Sequence, residues 1–175
     1  MPTIRTRHLL LRTLRGGDAA ALHRIYSQED IRRYFPRPGP VPLEKVEEDI
    51  AGNLRHWEKH GYGWWAVESR AGSGLIGWIG LRYLPETDET EVAGLLAKEF
   101  WGRGLAVEGA VEGLRYGFEE LHLKAIIGLA HPGNSRSRRV LEKLGMSYTG
   151  EKEYFGITVC RYVIEAAAYA TRAKA

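Results

Sequence analysis

Hydrophobic and polar residues follow two different periods along this chain, and the change of period separates predicted helices from predicted strands. Over residues 43–59, apolar residues such as Val46 and Ile50 recur every three or four positions, which predicts an amphipathic helix. Apolar runs bounded by Gly, Pro, Asp or Ser predict strands. The predicted strands are 9–12, 62–68, 74–83, 91–97, 124–130, 148–151 and 158–165; the predicted helices are one that starts at residue 19, then 43–59, 105–120 and 135–144.

The order of these elements predicts the fold class. Along the chain it is β-α-α-β-β-β-α-β-α-β-β, which indicates an α/β protein with a mixed central sheet and hairpin strands in its middle. A Pro-rich connection at residues 36–42 separates the first two helices. No repeat, low-complexity tract or linker divides the sequence, and 175 residues can bury one sizeable core. We therefore expect a single domain over residues 1–175.

Composition narrows the class of protein. Hydrophobic residues make up 44% of the chain and charged residues 27%, which is ordinary for a soluble globular protein. No apolar run approaches the roughly 20 residues that a membrane span requires, and the N-terminal region lacks a signal-peptide pattern. The single cysteine, Cys160, cannot form a disulfide within the chain. Cytoplasmic residence, with no membrane partner, is therefore expected.

The charge of the chain indicates a small anionic ligand. A formal net charge of +3 is too small to favour a nucleic-acid partner. The densest cationic cluster is formed by Arg136, Arg138 and Arg139 at the start of the last predicted helix. A small anionic cofactor explains this cluster more economically than a nucleic-acid strand does. Neither a nucleic acid nor a metal ion is expected as a partner.

The most informative segment is the glycine turn Trp101-Gly102-Arg103-Gly104-Leu105-Ala106, which lies between a predicted strand and a predicted helix. Two glycines at such a turn let backbone N–H groups point at one anion, and the helix dipole adds partial positive charge. The dinucleotide fingerprint needs a third glycine, but Val107 occupies its place. The Gly-Lys-Ser/Thr of a Walker A loop is also absent. The turn therefore predicts a pyrophosphate site of another kind.

This turn resembles the pyrophosphate loop of the GCN5-related N-acetyltransferase (GNAT) superfamily, written Gln/Arg-x-x-Gly-x-Gly/Ala. Gly104 and Ala106 match the pattern, and Trp101 in place of Gln or Arg is typical of the RimJ/RimL-like branch. The opening strand around residues 6–12 and the central strand 91–96 are similar to those of the same branch. So is the segment Asn134-x-x-Ser137-x-x-Val140-x-x-Lys143-Leu144-Gly145-Met146. In order and spacing, the resemblance covers residues 5–165.

The resemblance implies the acyl-CoA N-acyltransferase fold, a mixed sheet with two splayed parallel strands and about four flanking helices. It implies acetyl-CoA as co-substrate, with its pantetheine arm paired to main-chain atoms of the strand that precedes the glycine turn. Asn134 is expected at the pantetheine, Ser137 near the thioester sulfur and Arg138 near the adenosine 3′-phosphate or in solvent. The full set of expected cofactor-binding residues is Leu95, Leu96, Ala97, Trp101, Gly102, Arg103, Gly104, Leu105, Ala106, Asn134, Ser137 and Arg138.

For catalysis, the resemblance implies direct attack of an amine on the thioester in a ternary complex. Leu141 occupies the position where many family members carry a tyrosine acid, so Ser137 is the best candidate proton donor. Glu91, at the start of the central strand, is the candidate base acting through water. Glu151 lies one residue late for the glutamate of the branch, and in a strand this shift turns its side chain to the other face.

The acceptor is open at this level. Its walls in the branch come from the first two helices and the late strands, so several aromatic and acidic residues are candidates. Three interpretations remain: an N-acetyltransferase acting on a protein or peptide N terminus, one acting on a small amine such as a polyamine, amino acid or antibiotic, and a CoA-binding sensor without turnover. Homodimers are common in the superfamily, which allows one here. The candidates for the acceptor site are Tyr34, Phe35, Trp57, Trp64, Trp65, Tyr154 and Phe155, with Glu29, Asp30, Glu89 and Glu91.

Overall fold

The protein is built on one eight-stranded sheet, described here from a computed structural model over residues 1–37 and 39–172. The strands follow the order β1-β2-β3-β4-β5-β6-β8-β7, and every neighbouring pair is antiparallel except β5 with β6. The mixed sheet agrees with the sequence prediction. The strands are β1 (Ile4–Arg5), β2 (Leu9–Thr13), β3 (Trp64–Ser69), β4 (Leu75–Leu84), β5 (Glu89–Leu96), β6 (Ala125–Ala130), β7 (Ser147–Tyr154) and β8 (Ile157–Glu165).

Helices cover both faces of the sheet. On one face, apolar residues of α4 and α5 pack on side chains such as Leu81, Val92 and Ile126. On the other face, α1 and the first half of α3 pack on Ala66 and Trp78. None of the described helices is long and apolar enough to cross a membrane. The helices are α1 (Ala19–Tyr26), α2 (Glu29–Arg32), α3 (Leu43–His60), α4 (Leu105–Arg115), α5 (Ser135–Lys143) and α6 (Ala166–Arg172).

The structure contains three short elements that hydrophobic periodicity does not predict. These are the two-residue β1, the four-residue α2 and the terminal α6. The two helices among them raise the number of helices from about four to six. Both β1 and α2 are too short to display a period, since one helical turn already takes 3.6 residues. The predicted helix 105–120 is confirmed in extent, with α4 ending at Arg115 and a π-helical turn continuing over Tyr116–Glu120.

The feature that positions the site is the divergence of β5 and β6. These parallel strands share a single register pair, Glu91 with Ile127, whereas β4 and β5 share eight. Beyond Glu91 and Ile127, toward their carboxyl ends, the two strands share no further register pair. A gap therefore opens in the middle of the sheet, and the chain that leaves β5 at this gap leads directly into the glycine turn.

Candidate active site

The glycine turn forms an open cradle at the start of α4. Gly102 and Gly104 have φ values of 74° and 78°, in the left-handed region that glycine adopts without strain. A Cβ atom added at either residue would meet no protein atom within 4 Å among the described residues. Gly104 caps α4 without a side-chain hydrogen bond, so the first N–H groups of the helix face this space. Such a helix terminus suits a phosphate group.

Two aromatic rings fix the cradle and carry cations. The indole Nε1 of Trp101 donates a hydrogen bond of 2.6 Å to the carbonyl oxygen of Leu96, which ties the turn to the last residue of β5. The guanidinium of Arg136 lies over the Trp101 ring at 5.1 Å, and that of Arg103 lies over the Phe100 ring at 5.4 Å. Arg136 belongs to the cationic cluster recognised in the sequence, but the sequence did not mark it as a site residue.

The backbone at the gap separates the three residues expected to pair with pantetheine. Ala97 donates its N–H to Ile76 on β4 at 2.8 Å, and its carbonyl accepts from Phe100 at 2.9 Å. Because peptide groups alternate sides along a strand, the N–H of Leu95 also faces β4 and that of Leu96 faces the gap. The N–H of Ala97 is therefore already bonded within the protein and is not free to pair with pantetheine. Leu96 has its N–H directed toward the gap.

At the start of α5, the three predicted cofactor residues point in different directions. Asn134 caps the helix, its Oδ1 accepting from the Ser137 N–H at 3.1 Å. Ser137 is half-buried. The Nε of Arg138 donates to the hydroxyl of the buried Tyr162 on β8, at 3.1 Å, which raises the Arg138 pKa. Arg138 thus turns toward β8, while Arg136 turns toward the glycine turn.

Glu91 lies on the sheet face opposite α4, at the point where β5 and β6 separate. It is buried, and its Oε2 accepts a hydrogen bond of 2.6 Å from the Nη2 of Arg82, its register partner on β4. Burial raises the pKa of the Glu91 carboxyl, and the charge of Arg82 partly opposes this shift. A carboxyl group with a raised pKa is suited to accepting and releasing protons near neutral pH.

A second acidic residue of β5, Glu89, is held in a network with the last two strands. The Tyr154 hydroxyl donates to Glu89 at 2.6 Å, and Arg161 donates to its other oxygen at 2.5 Å. Arg161 also donates to the Thr149 hydroxyl at 2.9 Å. These bonds lower the pKa of Glu89 against the effect of burial. Two compensated ion pairs therefore stand side by side near the opening of the gap.

The aromatic candidates divide between core and site. Trp57 and Trp65 lie in the apolar core with 5% and 0% exposure, so these two candidates belong to the core and not to an acceptor wall. Trp64 is half-buried on the face of Glu91 and stacks on Trp78, with ring centroids 4.0 Å apart. Phe155, at the tip of the β7–β8 hairpin, is 48% exposed and packs on Arg82.

The remaining candidates lie on α2, just after α2 and on β7. Tyr34 stacks against His131, which precedes α5, at 5.2 Å between ring centroids. Phe35 packs on Arg32. Asp30 pairs with Lys98, just after β5, and Glu29 is exposed. Glu151 is exposed and pairs in register with Cys160, on the face opposite Glu91. Across residues 1–37 and 39–172, no cluster of three or more His, Cys, Asp or Glu side chains could hold a metal ion.

Comparison with known proteins gives one family. Residues 8–147 match the sequence profile of the family described as "Acetyltransferase (GNAT) domain". The Bacillus subtilis (strain 168) N-acetyltransferase YoaA, whose function is uncharacterized, is 30% identical over 154 residues, which are 85% of each chain.

Solved structures share the fold. A GNAT-family acetyltransferase from Bacillus anthracis superimposes with a TM-score of 0.81 at 26% identity, over 95% of this chain and 99% of that chain. RimL, a ribosomal L7/L12 alpha-N-protein acetyltransferase solved in complex with coenzyme A, superimposes with a TM-score of 0.80 over 95% and 99% of the two chains. At 16% identity, the RimL likeness concerns the fold alone. From its sequence match and its sheet, the chain belongs to the GNAT family of acetyltransferases, enzymes that use acetyl-CoA as the acetyl donor.

Proposed function

We propose that this chain transfers an acetyl group from acetyl-CoA to a primary amine, and that this amine is the N terminus of a protein or peptide. The observation that carries the proposal is the continuity of the open helix end at Gly104 with the gap beyond Glu91 and Ile127. The first suits a pyrophosphate, and the second suits an extended arm that contains amides. Acetyl-CoA presents both groups in this order.

In this proposal, the donor is held mostly by main-chain atoms. The N–H groups of residues 102–106 bind the pyrophosphate, with Arg103 and Arg136 as nearby cations. The pantetheine arm lies in the gap along the last residues of β5, while Asn134 and Ser137 line its other side. Main-chain binding makes the identity of the strand residues unimportant, but it requires the open glycine turn.

Amide formation has three chemical requirements. The amine must be neutral when its lone pair attacks the thioester carbonyl carbon, the resulting oxyanion needs a hydrogen-bond donor, and the thiolate released by cleavage of the C–S bond takes up a proton. The Leu96 N–H, which faces the gap, is the proposed oxyanion donor. Attack is direct, so no covalent enzyme intermediate forms, and alignment of the two substrates supplies much of the rate.

Glu91 is the proposed base, acting through water on the incoming ammonium group. Its support is its position on the face not covered by α4, together with the raised pKa that burial produces. Ser137 is the proposed donor of the proton to the thiolate. Ser137 is half-buried, whereas the neighbouring Arg138 points toward β8.

The test is release of free thiol from acetyl-CoA over a panel of N-terminal peptides and small amines. Turnover with peptides is expected, and the Glu91→Gln variant is expected to lose most of kcat while it still binds acetyl-CoA. Turnover with small amines but not with peptides would show that the acceptor is a small amine and not a peptide N terminus. Binding of acetyl-CoA without turnover on any acceptor would overturn the enzymatic proposal and favour a CoA-binding sensor.

A further inference from the structure

Three buried side-chain N–H donors have no hydrogen-bond partner within the part of the chain that the structure describes; one is the Nε of Arg32, and the other two lie on the face of Glu91. These two are the indole Nε1 of Trp64 and the guanidinium Nε of Arg82. Buried N–H groups are almost always bonded in folded proteins, because an unmade bond costs the full desolvation of the group. Two such groups on neighbouring side chains therefore call for a common explanation.

The sheet register brings these donors together. Trp64 lies opposite Gly80 on β4, and Arg82 lies two residues further along the same face of that strand. The Arg82 guanidinium is 5.9 Å from the centroid of the Trp64 ring. Arg82 reaches Glu91 through Nη2, which leaves Nε for another partner.

The charge around the two donors selects the kind of oxygen that they bind. The charge of Arg82 is compensated by Glu91, and that of Arg161 by Glu89. The indole of Trp64 is neutral. With no uncompensated cation among these groups, they favour a neutral carbonyl oxygen over a carboxylate.

We propose that Trp64 and Arg82 bind main-chain carbonyl oxygen at the N-terminal end of a peptide acceptor. The inference rests on the proposed function and decides among its acceptor classes. Polyamines have no carbonyl oxygen, and a free amino acid presents a carboxylate next to its amine. Of these three acceptors, only a peptide N terminus carries a neutral carbonyl oxygen beside the reacting amine.

Phe155 controls access to this carbonyl site. Its ring lies 4.8 Å from the Arg82 guanidinium, on a residue with φ of 55° at the exposed tip of the β7–β8 hairpin. The exposed ring packs on Arg82, so in this proposal an entering peptide displaces the ring and takes its place. The acceptor therefore approaches from the hairpin, on the face opposite the helix that holds the glycine turn.

The chain provides a matched pair of variants. Trp64 and Trp78 stack on each other, but the Nε1 of Trp78 donates to the Tyr26 hydroxyl at 2.8 Å. Phenylalanine at either position keeps an aromatic ring and removes one N–H. Trp64→Phe removes an unbonded donor, so its melting temperature is expected to equal or exceed that of wild type. Trp78→Phe removes a bonded donor and is expected to melt at a lower temperature.

Binding is measured by calorimetry in the presence of CoA, with a tetra-alanine amide and its analogue in which a trans-alkene replaces the first amide. The wild-type protein is expected to prefer the peptide by about tenfold. Trp64→Phe is expected to abolish this preference, and Trp78→Phe to retain it. Equal wild-type affinity for the two ligands, no affinity for either, or an equal loss of both in Trp64→Phe would overturn the inference. Thiol release with the same peptide tests the proposed function separately.

Discussion

Gly104 offers the sharpest test of the proposed pyrophosphate site, because the chain contains a matched glycine elsewhere. Gly104 has φ of 78° and caps the start of α4, while Gly61 has φ of 75° and caps the end of α3. A Cβ atom at either position would meet no described protein atom within 4 Å. Alanine at these two positions therefore carries the same backbone strain and the same absence of clashes, but only Gly104 faces the proposed phosphate.

The expected magnitudes follow from this geometry. A left-handed conformation costs a non-glycine residue about 1–2 kcal/mol, so both variants are expected to lose that much stability. For a chain of this size, each kcal/mol lowers the melting temperature by about 2–4 °C. At Gly104 the methyl group also displaces the phosphate from the helix end. Loss of one hydrogen bond to a charged group is worth about 1.5–3 kcal/mol, which predicts acetyl-CoA binding about 10- to 100-fold weaker.

The assay pairs thermal unfolding without ligand with calorimetric titration by acetyl-CoA. Both variants should melt at similarly lowered temperatures, and only Gly104→Ala should bind acetyl-CoA more weakly than wild type. Unchanged affinity in a folded Gly104→Ala protein would refute the reasoning. An equal loss of affinity in Gly61→Ala would refute it as well, since it would trace the effect to stability rather than to the cradle.

Two further predictions concern pH. Since the charge of Arg82 opposes the effect of burial on the Glu91 pKa, Arg82→Gln should raise that pKa and move the acidic limb of kcat/KM to higher pH; an unmoved limb would remove Glu91 as the base. His56 is held neutral, because its Nε2 accepts from the Tyr83 N–H at 3.0 Å and burial lowers its pKa from 6.5. The free energy of unfolding should therefore fall as the pH drops through 6.5 and below in chemical denaturation, and it should fall less in His56→Gln.

Much of the fold was accessible from the sequence, because long elements display their period. The strands around Ile79 and Ile164 and the helix around Ile50 lie where alternation and the helical repeat predict them. The glycine turn was predictable as well, because the spacing of its glycines reflects the backbone conformation of the turn. The splay of β5 and β6 came only from the family resemblance. Hydrophobic alternation shows which face of a strand is buried. It does not show along which edge the strand lacks a hydrogen-bonded neighbour.

The site residues that the sequence did not predict depend on the direction of a side chain or on contacts with residues that are distant along the chain. Arg136 and Arg138 are two residues apart on α5, which places them about 200° apart around its axis, and no local signal tells which one faces the glycine turn. Trp64 and Trp65 are consecutive residues of one strand, yet the first lies at the site and the second in the core. The sequence around Arg82 gives no signal of a site, because Arg82 is placed there by its partners on β3, β5 and the β7–β8 hairpin.

The single register pair between β5 and β6 also has a mechanical consequence. Strands β1–β5 and strands β6–β8 form two halves of the sheet that share one register pair, so near the gap the sheet lacks the rigidity of its continuous parts. In the proposed complex, the pantetheine arm of the donor lies between the two halves as an additional strand. The ligand and the protein then form one hydrogen-bonded sheet, in which the bound donor takes the place of a missing strand.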